Sequence, residues 1–251
     1  MEYIGLGKSN LLVSRVGFGA MSLSEIDTEE NAAILIHKAY DAGINFFDIS
    51  HSKVESEKRL GACLSGIRQH VILSTETNAS TKKEIFQDLE DSLYALQTDY
   101  VDLFQYEFID ENYFNLDELG NSFSLLKERG KIKHCGFATQ SVEIAKKALE
   151  ADFFETIQLP FNLLTGQDTL EIYNLCQKKD VGFIAMKPLY GGLVQNIPLA
   201  QGFFNQYEDV IPLWGVRNID ELNQILYFNE HPPVVDDKFN EEVEKMRMFF
   251  S

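Results

Sequence analysis

The chain is poor in cysteine, in basic residues and in long apolar runs, and each shortage removes a class of protein. Cys63, Cys135 and Cys176 are the only cysteines in 251 residues and lie far apart. That spacing excludes a disulfide framework or a cysteine metal cluster and reads as reduced thiols, so a cytoplasmic location is expected. Lys and Arg number 22 against 39 Asp and Glu, a formal net charge of −17. Such a surface repels nucleic acid and anionic membranes, and neither is an expected partner. No run of about 18 apolar residues exists, so no membrane span is expected. The opening MEYIGLGKSN lacks the basic start and apolar stretch of a secretory signal. There is no linker or low-complexity segment, and a single domain over residues 1–251 is the expectation. Substrate identity and oligomeric state are left open by the sequence.

Hydrophobic residues make up 45% of the chain, enough for a full core. They are arranged as short apolar runs alternating with amphipathic stretches. The runs are VGFGA (16–20), NFFDI (45–49), HVILSTE (70–76), YVDLFQY (100–106), IKHCGFA (132–138), ETIQLP (155–160), GFIAMKP (182–188) and DVIPLWG (209–215). Nearly continuous apolar strands are buried on both faces, as in a parallel sheet. Between them Ala32, Leu35, Ile36 and Ala39 fall at helical spacing after Thr28-Glu29-Glu30, and Ile85, Leu89, Leu93 and Leu96 repeat the pattern after Ser80 and Thr81. Leu222, Ile225 and Leu226 do so in the last third.

Eight strand–helix units with right-handed crossovers close as a (β/α)8 barrel. YIGLGKSNLLVSRV predicts a hairpin that plugs the barrel floor, turning at Gly7-Lys8-Ser9-Asn10. An open doubly wound sheet would want a glycine-rich phosphate turn after its first strand, and FGAMSLSE has none. The stretch after the seventh strand, YGGLVQNIPLAQGFFNQYE, predicts a short or irregular seventh helix.

Barrel enzymes carry their reactive groups at the C-terminal ends of strands. Here those ends hold Asp48 on the second strand, Glu76 on the third and Tyr106-Glu107 on the fourth. The remaining strand ends bring Gln158, Lys187 and Trp214, and His51 follows Asp48 in the next loop. Neighbouring strands lie about 4.8 Å apart, so carboxylates at matching heights interact and at least one pKa rises. A raised carboxyl beside an ionised one is an acid/base pair, with Lys53 or Lys187 offsetting part of the charge. A divalent cation site is not expected, since no histidine or DxD spacing supports one.

These segments together resemble the aldo-keto reductases. The resemblance rests on VSRVGFGAMSL, on AGINFFDIS followed by ESEKRLG, and on DYVDLFQYEFID. It continues through ERGKIKHCGFAT, IQLPFNLL, GFIAMKPLYGGL and VIPLWGVRNIDEL, nearly the whole length. It implies a (β/α)8 barrel and carbonyl reduction with NADPH by an Asp, a Tyr proton donor, a Lys and a His. By position the Asp is Asp48, while Lys53 stands at the Tyr position, Glu76 at the Lys position and Glu107 at the His position. On the cofactor side the resemblance implies Gln158, Gly215 and Arg217 as retained contacts. Ala138-Thr139 stand in place of Ser-Asn, and Met186 in place of a stacking aromatic.

Ionised Glu76 and Glu107 would oppose the alkoxide that hydride delivery creates, by several kcal/mol for a charge at about 4 Å in a partly buried site. The leading expectation is therefore a non-redox enzyme with no cofactor. Asp48, Glu76 and Glu107 would run acid/base chemistry on a small organic substrate, with Lys53 as electrostatic support: hydrolysis first, elimination or isomerisation otherwise. The pocket would be completed by His51, Tyr106, Gln158, Lys187 and Trp214. One alternative is an NADPH-dependent oxidoreductase with a rearranged proton donor. The other is a non-catalytic binding or regulatory barrel.

Overall fold

The N-terminal hairpin is built by its turn. In the computed structural model, which describes residues 1–109 and 115–250, β1 (Tyr3–Gly5) pairs antiparallel with β2 (Leu12–Ser14). The Asn10 N–H donates to the Gly7 carbonyl at 3.0 Å, and Gly7 and Asn10 both take positive φ, 52° and 54°. Only glycine fits at position 7, because a Cβ there would come within 2.2 Å of the Gly182 nitrogen. The hairpin then drives Leu6 and Val13 into a cluster with Phe46, Leu103, Ile184, Ile211 and Leu213, which is the expected floor plug.

Eight parallel strands stand on that floor. They are β3 (Gly17–Gly19), β4 (Phe46–Asp48), β5 (Ile72–Thr77), β6 (Val101–Phe108), β7 (Ile132–Thr139), β8 (Thr156–Pro160), β9 (Gly182–Met186) and β10 (Val210–Gly215). They pair in chain order, and β10 closes on β3 through Leu213 opposite Gly17 and Gly215 opposite Gly19. The closed barrel and all eight strand positions agree with the apolar runs. Asp110, which ends the DYVDLFQYEFID motif, lies outside the described residues.

Helices α1 (Glu29–Asp41), α2 (Val54–Leu64), α3 (Lys82–Ala95), α4 (Leu116–Glu128), α5 (Val142–Glu150), α6 (Gln167–Lys179), α7 (Ile197–Phe204) and α8 (Ile219–Glu230) follow the barrel strands in turn, and α9 (Asp237–Phe250) ends the described chain. Thr28 and Thr81 cap α1 and α3 by accepting the N–H groups of Asn31 and Glu84, as their sequences predict. The seventh helix is short, as expected, at 8 residues.

Strand alternation sorts the side chains into two cores. Outward-facing Phe18, Phe47, Phe104, Phe137, Phe183 and Trp214 pack under the helices, with Phe104 against Phe123 and Phe137 against Phe154 at ring separations of 5.3 and 5.0 Å. Burying each such ring contributes about 1.5–3 kcal/mol. The inward-facing set is apolar only near the floor. Above it the barrel interior turns polar, and that change of character locates the site. Among the described residues no helix is long and apolar enough to cross a membrane, and the three cysteines are free and buried.

Candidate functional site: an acid cluster at the barrel mouth

Three strands in succession place an acid at the C-terminal end of the barrel. On β4 the residue after the floor-packing Phe46 that faces inward is Asp48; on β5 the inward row is Ile72, Ser74, Glu76; on β6 it is Leu103, Gln105, Glu107. The register sets Asp48 beside Ser74 and Glu76 beside Gln105. These side chains form one layer above the apolar floor.

Asp48 is 2% exposed and held from below. Gln105 Nε2 donates to Asp48 Oδ1 at 3.2 Å and lies 3.1 Å from Ser74 Oγ and 2.8 Å from Gln158 Oε1. Burial dominates its titration and lifts the carboxyl to about 7, with hydrogen bonds from Ser74, Gln158 and Gln105 pulling the other way and Glu107 adding to the rise. Glu76, also 2% exposed, is pushed well above the ordinary carboxylate range by burial, then by Asp48 and Glu107, with the Ser50 hydroxyl offsetting part. Its Oε2 has no hydrogen-bond partner among the described residues. Glu107, half-buried at the rim, is raised by burial. The expected acid cluster is thus brought together, and its protons belong to the group as a whole.

Several residues expected in the pocket are elsewhere. Tyr106 and Trp214 face outward. Tyr106 packs on Phe137 with ring centroids 5.8 Å apart, and Trp214 on Phe204 at 5.9 Å, both in the layer under the helices. Each follows and precedes an inward residue, so strand parity turns it away from the mouth. His51 also turns outward, into the seam between α2 and α3. There Nδ1 lies 3.0 Å from Ser92 Oγ and 4.0 Å from Glu57 Oε2, and Nε2 lies 3.5 Å from Asp88. Lys53 is exposed at the start of α2 and makes no ion pair with the acids among the described residues. Lys187 is exposed and gives its Nζ to Gln140 Oε1 at 2.5 Å. Gln158 is in place, buried on β8.

Ser74 and Gln105 are the site residues that strand-end reasoning passed over. The signal was present: each lies two residues before a strand-end glutamate, on the same face. Glu57, completely buried and hydrogen-bonded by Thr75 at 2.9 Å, was also unflagged, and it belongs to the outer seam.

Around the acids the mouth is lined by small groups. Gly19 and Gly215 are register partners on β3 and β10, and a Cβ added at Gly215 would meet nothing within 4 Å. Ala138 and the half-buried Met186 complete that side. Farther out, Asn218 caps α8, and Arg217 reaches solvent with Nε 3.9 Å from Glu25. The Arg217 N–H donates to the Glu221 carboxylate at 2.8 Å.

Comparison with known proteins adds the following. The model of the aldo/keto reductase family matches residues 15–205. The oxidoreductase YqkF of Bacillus subtilis (strain 168) is 28% identical over 213 residues, 78% of this chain and 67% of that protein. The aldo-keto reductase YhdN of the same organism is 29% identical, over 78% and 63%. L-glyceraldehyde 3-phosphate reductase of Escherichia coli O157:H7 is 26% identical, over 77% and 63%. The chain therefore spans about two thirds of the length of these curated relatives. Among solved structures, the holo form of aldo-keto reductase AKR11C1 from Bacillus halodurans superposes with a TM-score of 0.85 at 24% identity, covering 98% of this chain and 96% of that one. The barrel expectation is confirmed by that likeness. The expectation of a hydrolase or other non-redox enzyme is overturned, since these relatives bear the names of oxidoreductases and reductases. The absence of a favoured cofactor falls with it. Burial holds the Glu76 and Glu107 carboxyls above their ordinary range, which weakens their opposition to a developing alkoxide.

Proposed function

The chain belongs to the aldo/keto reductase family, and from that membership we propose that it is a nicotinamide-dependent oxidoreductase in which a buried carboxyl replaces the phenol as proton donor. The observation that carries this reading is the burial of the mouth acids. Hydride delivery to a polar double bond needs a proton within reach. A neutral carboxyl supplies one, and burial favours the neutral form of Asp48, Glu76 and Glu107 alike. Glu76 is the best placed donor: it is buried, inward-facing, and its Oε2 is uncommitted among the described residues. Asp48 is anchored by Ser74, Gln105 and Gln158 and acts as the fixed member of the cluster. Glu107, at the rim, passes protons between the cluster and water.

The residues fit a nicotinamide at the mouth. Side-chain-free Gly215 leaves open space at the end of β10, beside its register partner Gly19, and the buried Gln158 amide stands two strands away on β8. Bound there, a reduced nicotinamide supplies hydride. At the phosphate end Arg217, 69% exposed and paired only loosely with Glu25 at 3.9 Å, would turn toward an anion, while the Glu221 carboxylate on the Arg217 N–H opposes one. The choice between NADPH and NADH rests on that balance. Titration of the protein with each cofactor, followed by the cofactor's own fluorescence and by calorimetry, tests the reading. Saturable micromolar binding of at least one is expected. Binding of neither up to millimolar concentration would overturn the reading. Trp214 is a poor reporter for this purpose, because it packs beneath the helices.

A further inference from the structure

Apart from the protons of its own carboxyl groups, the mouth presents hydrogen-bond acceptors and little else. Three carboxyl groups converge there, from Asp48, Glu76 and Glu107. A further observation points to a ligand: Glu76 Oε2 is without a hydrogen-bond partner among the described residues, on an inward-facing side chain that is 2% exposed. The donors of the layer are committed to the acids: Ser74, Gln105 and Gln158 turn to Asp48, and Ser50 to Glu76. Among the described residues no cation pairs with the acids. Lys53 forms no ion pair with them, Lys187 is held by Gln140, and His51 faces the α2–α3 seam.

A carbonyl is served by the cluster's proton alone. Its oxygen becomes an alkoxide and asks for positive charge as well. A carbon–nitrogen double bond asks for the reverse. Its nitrogen is a far stronger base than a carbonyl oxygen. Protonated, it is a cation with an N–H to donate, which matches an array of acceptors and carboxylates. We propose that the substrate class of this mouth is a small imine, held as its iminium ion against Glu76 and Asp48. This rests on the oxidoreductase reading for its source of hydride.

The step balances as follows. A carboxyl of the cluster gives its proton to the imine nitrogen, leaving a carboxylate–iminium pair. The iminium carbon accepts a hydride, the C=N electron pair moves onto nitrogen, and a neutral amine results. The reduced nicotinamide is the two-electron donor, and water returns one proton to the cluster through Glu107. The pair forms before the transfer and its charge is cancelled by it, so no anion develops on the substrate and no positive charge is needed beside it. The vacant roles of the tyrosine and lysine expected from the family then cease to be a defect.

The experiment has two arms. In the first, 2-methylpyrrolidinium is titrated by calorimetry into the protein without cofactor, in buffers of different ionisation enthalpy. Saturable binding with release of protons from the acid cluster is expected. It should weaken at least tenfold in Glu76→Gln and recover in Glu76→Asp. An absence of binding would overturn the proposal. In the second, oxidation of the bound cofactor is followed with 2-methyl-1-pyrroline and with cyclopentanone, a ketone of similar size. The imine is expected to show at least a hundredfold higher kcat/KM. Equal or faster ketone reduction would overturn the imine assignment and leave the oxidoreductase standing. If the amine cation binds but neither NADPH nor NADH does, the oxidoreductase reading itself fails, and imine reduction fails with it.

Discussion

The two ends of the barrel treat buried acids in opposite ways. At the N-terminal end Asp102 is almost fully buried and completely matched. Arg68 NH1 lies 2.9 Å from it, Lys133 Nζ 2.8 Å, and the Leu73 N–H donates at 3.0 Å. Beside it Glu155 takes Lys127 at 2.7 Å, His134 at 3.0 Å and the Cys135 N–H at 2.9 Å. Burial alone would raise Glu155, but its hydrogen bonds to His134, Lys127 and Cys135 hold it down at about 2. At the mouth, burial acts with no cation paired to the acids among the described residues, and Asp48 rises to about 7. The same side-chain chemistry is tied into the structure at one end and left poised at the other. That division is what the barrel architecture provides: stability at the floor, reactivity at the strand C-termini.

The most disruptive way to probe the contrast is to remove an acid from the floor. Asp102→Ala leaves the Arg68 guanidinium, 14% exposed on its side chain, facing a buried position without its partner. Breaking a buried pair in this way costs about 3–5 kcal/mol. Urea unfolding should show the midpoint fall accordingly, while cofactor affinity, set at the other end, stays put. A loss below about 1 kcal/mol would mean that the floor acids are no better anchored than surface ion pairs.

At the mouth, Glu76→Gln removes the proton donor without changing shape. Turnover should fall by about 10²–10³-fold, the range for losing a positioned general acid, with cofactor affinity unchanged and no loss of stability. Steady-state kinetics and thermal melting read the two quantities separately. Full turnover in this variant would place the proton source elsewhere.

Neutralising Asp48 reverses the sign seen at the floor. The native protein holds the Asp48 proton up to about pH 7, whereas the unfolded chain releases it near 3.8. The native state binds more protons across that window, so stability declines as pH rises through it. Asp48→Asn should therefore stabilise the protein by roughly 1–3 kcal/mol at pH 8 and by almost nothing near pH 4. Urea titrations at the two pH values check both size and sign. Glu155 gives the mirror image: its stabilisation is present above about 4.5 and is lost as pH falls through about 2. A destabilised Asp48→Asn at pH 8 would show that the mouth acids are structural.

Much of this arrangement was written in the chain. The eight apolar runs became the eight strands, the Gly7 turn became the floor plug, and Asp48, Glu76 and Glu107 converged because each ends a strand on its inward face. Two kinds of information were missing. Proximity to a strand end does not say which face a residue takes, and one step of register moved Tyr106 and Trp214 from the pocket into the helix layer. Counting back by two from Glu76 and Glu107 would have found Ser74 and Gln105. His51 lies in a loop, where no period applies, and its partners Ser92 and Asp88 come from a helix some 40 residues on. The protonation of the acids depends on burial, a property of the assembled barrel that no single stretch of the chain shows.

The smallest effect expected is at Lys53, and it bears directly on whether the mouth lacks a cation. Lys53 stands where the family resemblance puts the proton-donating tyrosine, so a direct replacement of one donor by another is the natural rival to a carboxyl donor. Its side chain is exposed, it does not cap α2 through a hydrogen bond, and it pairs with none of the acids among the described residues. Lys53→Met should then change stability by less than about 0.5 kcal/mol, as at an ordinary surface position, and turnover by less than about threefold, since no proton or charge at the reacting atoms is removed. Should Lys53→Met instead match the loss in Glu76→Gln, the ammonium must swing into the mouth when substrate is bound. The cluster would then be a compensated ion network like the one around Asp102, and the distinction between the two ends of the barrel would disappear.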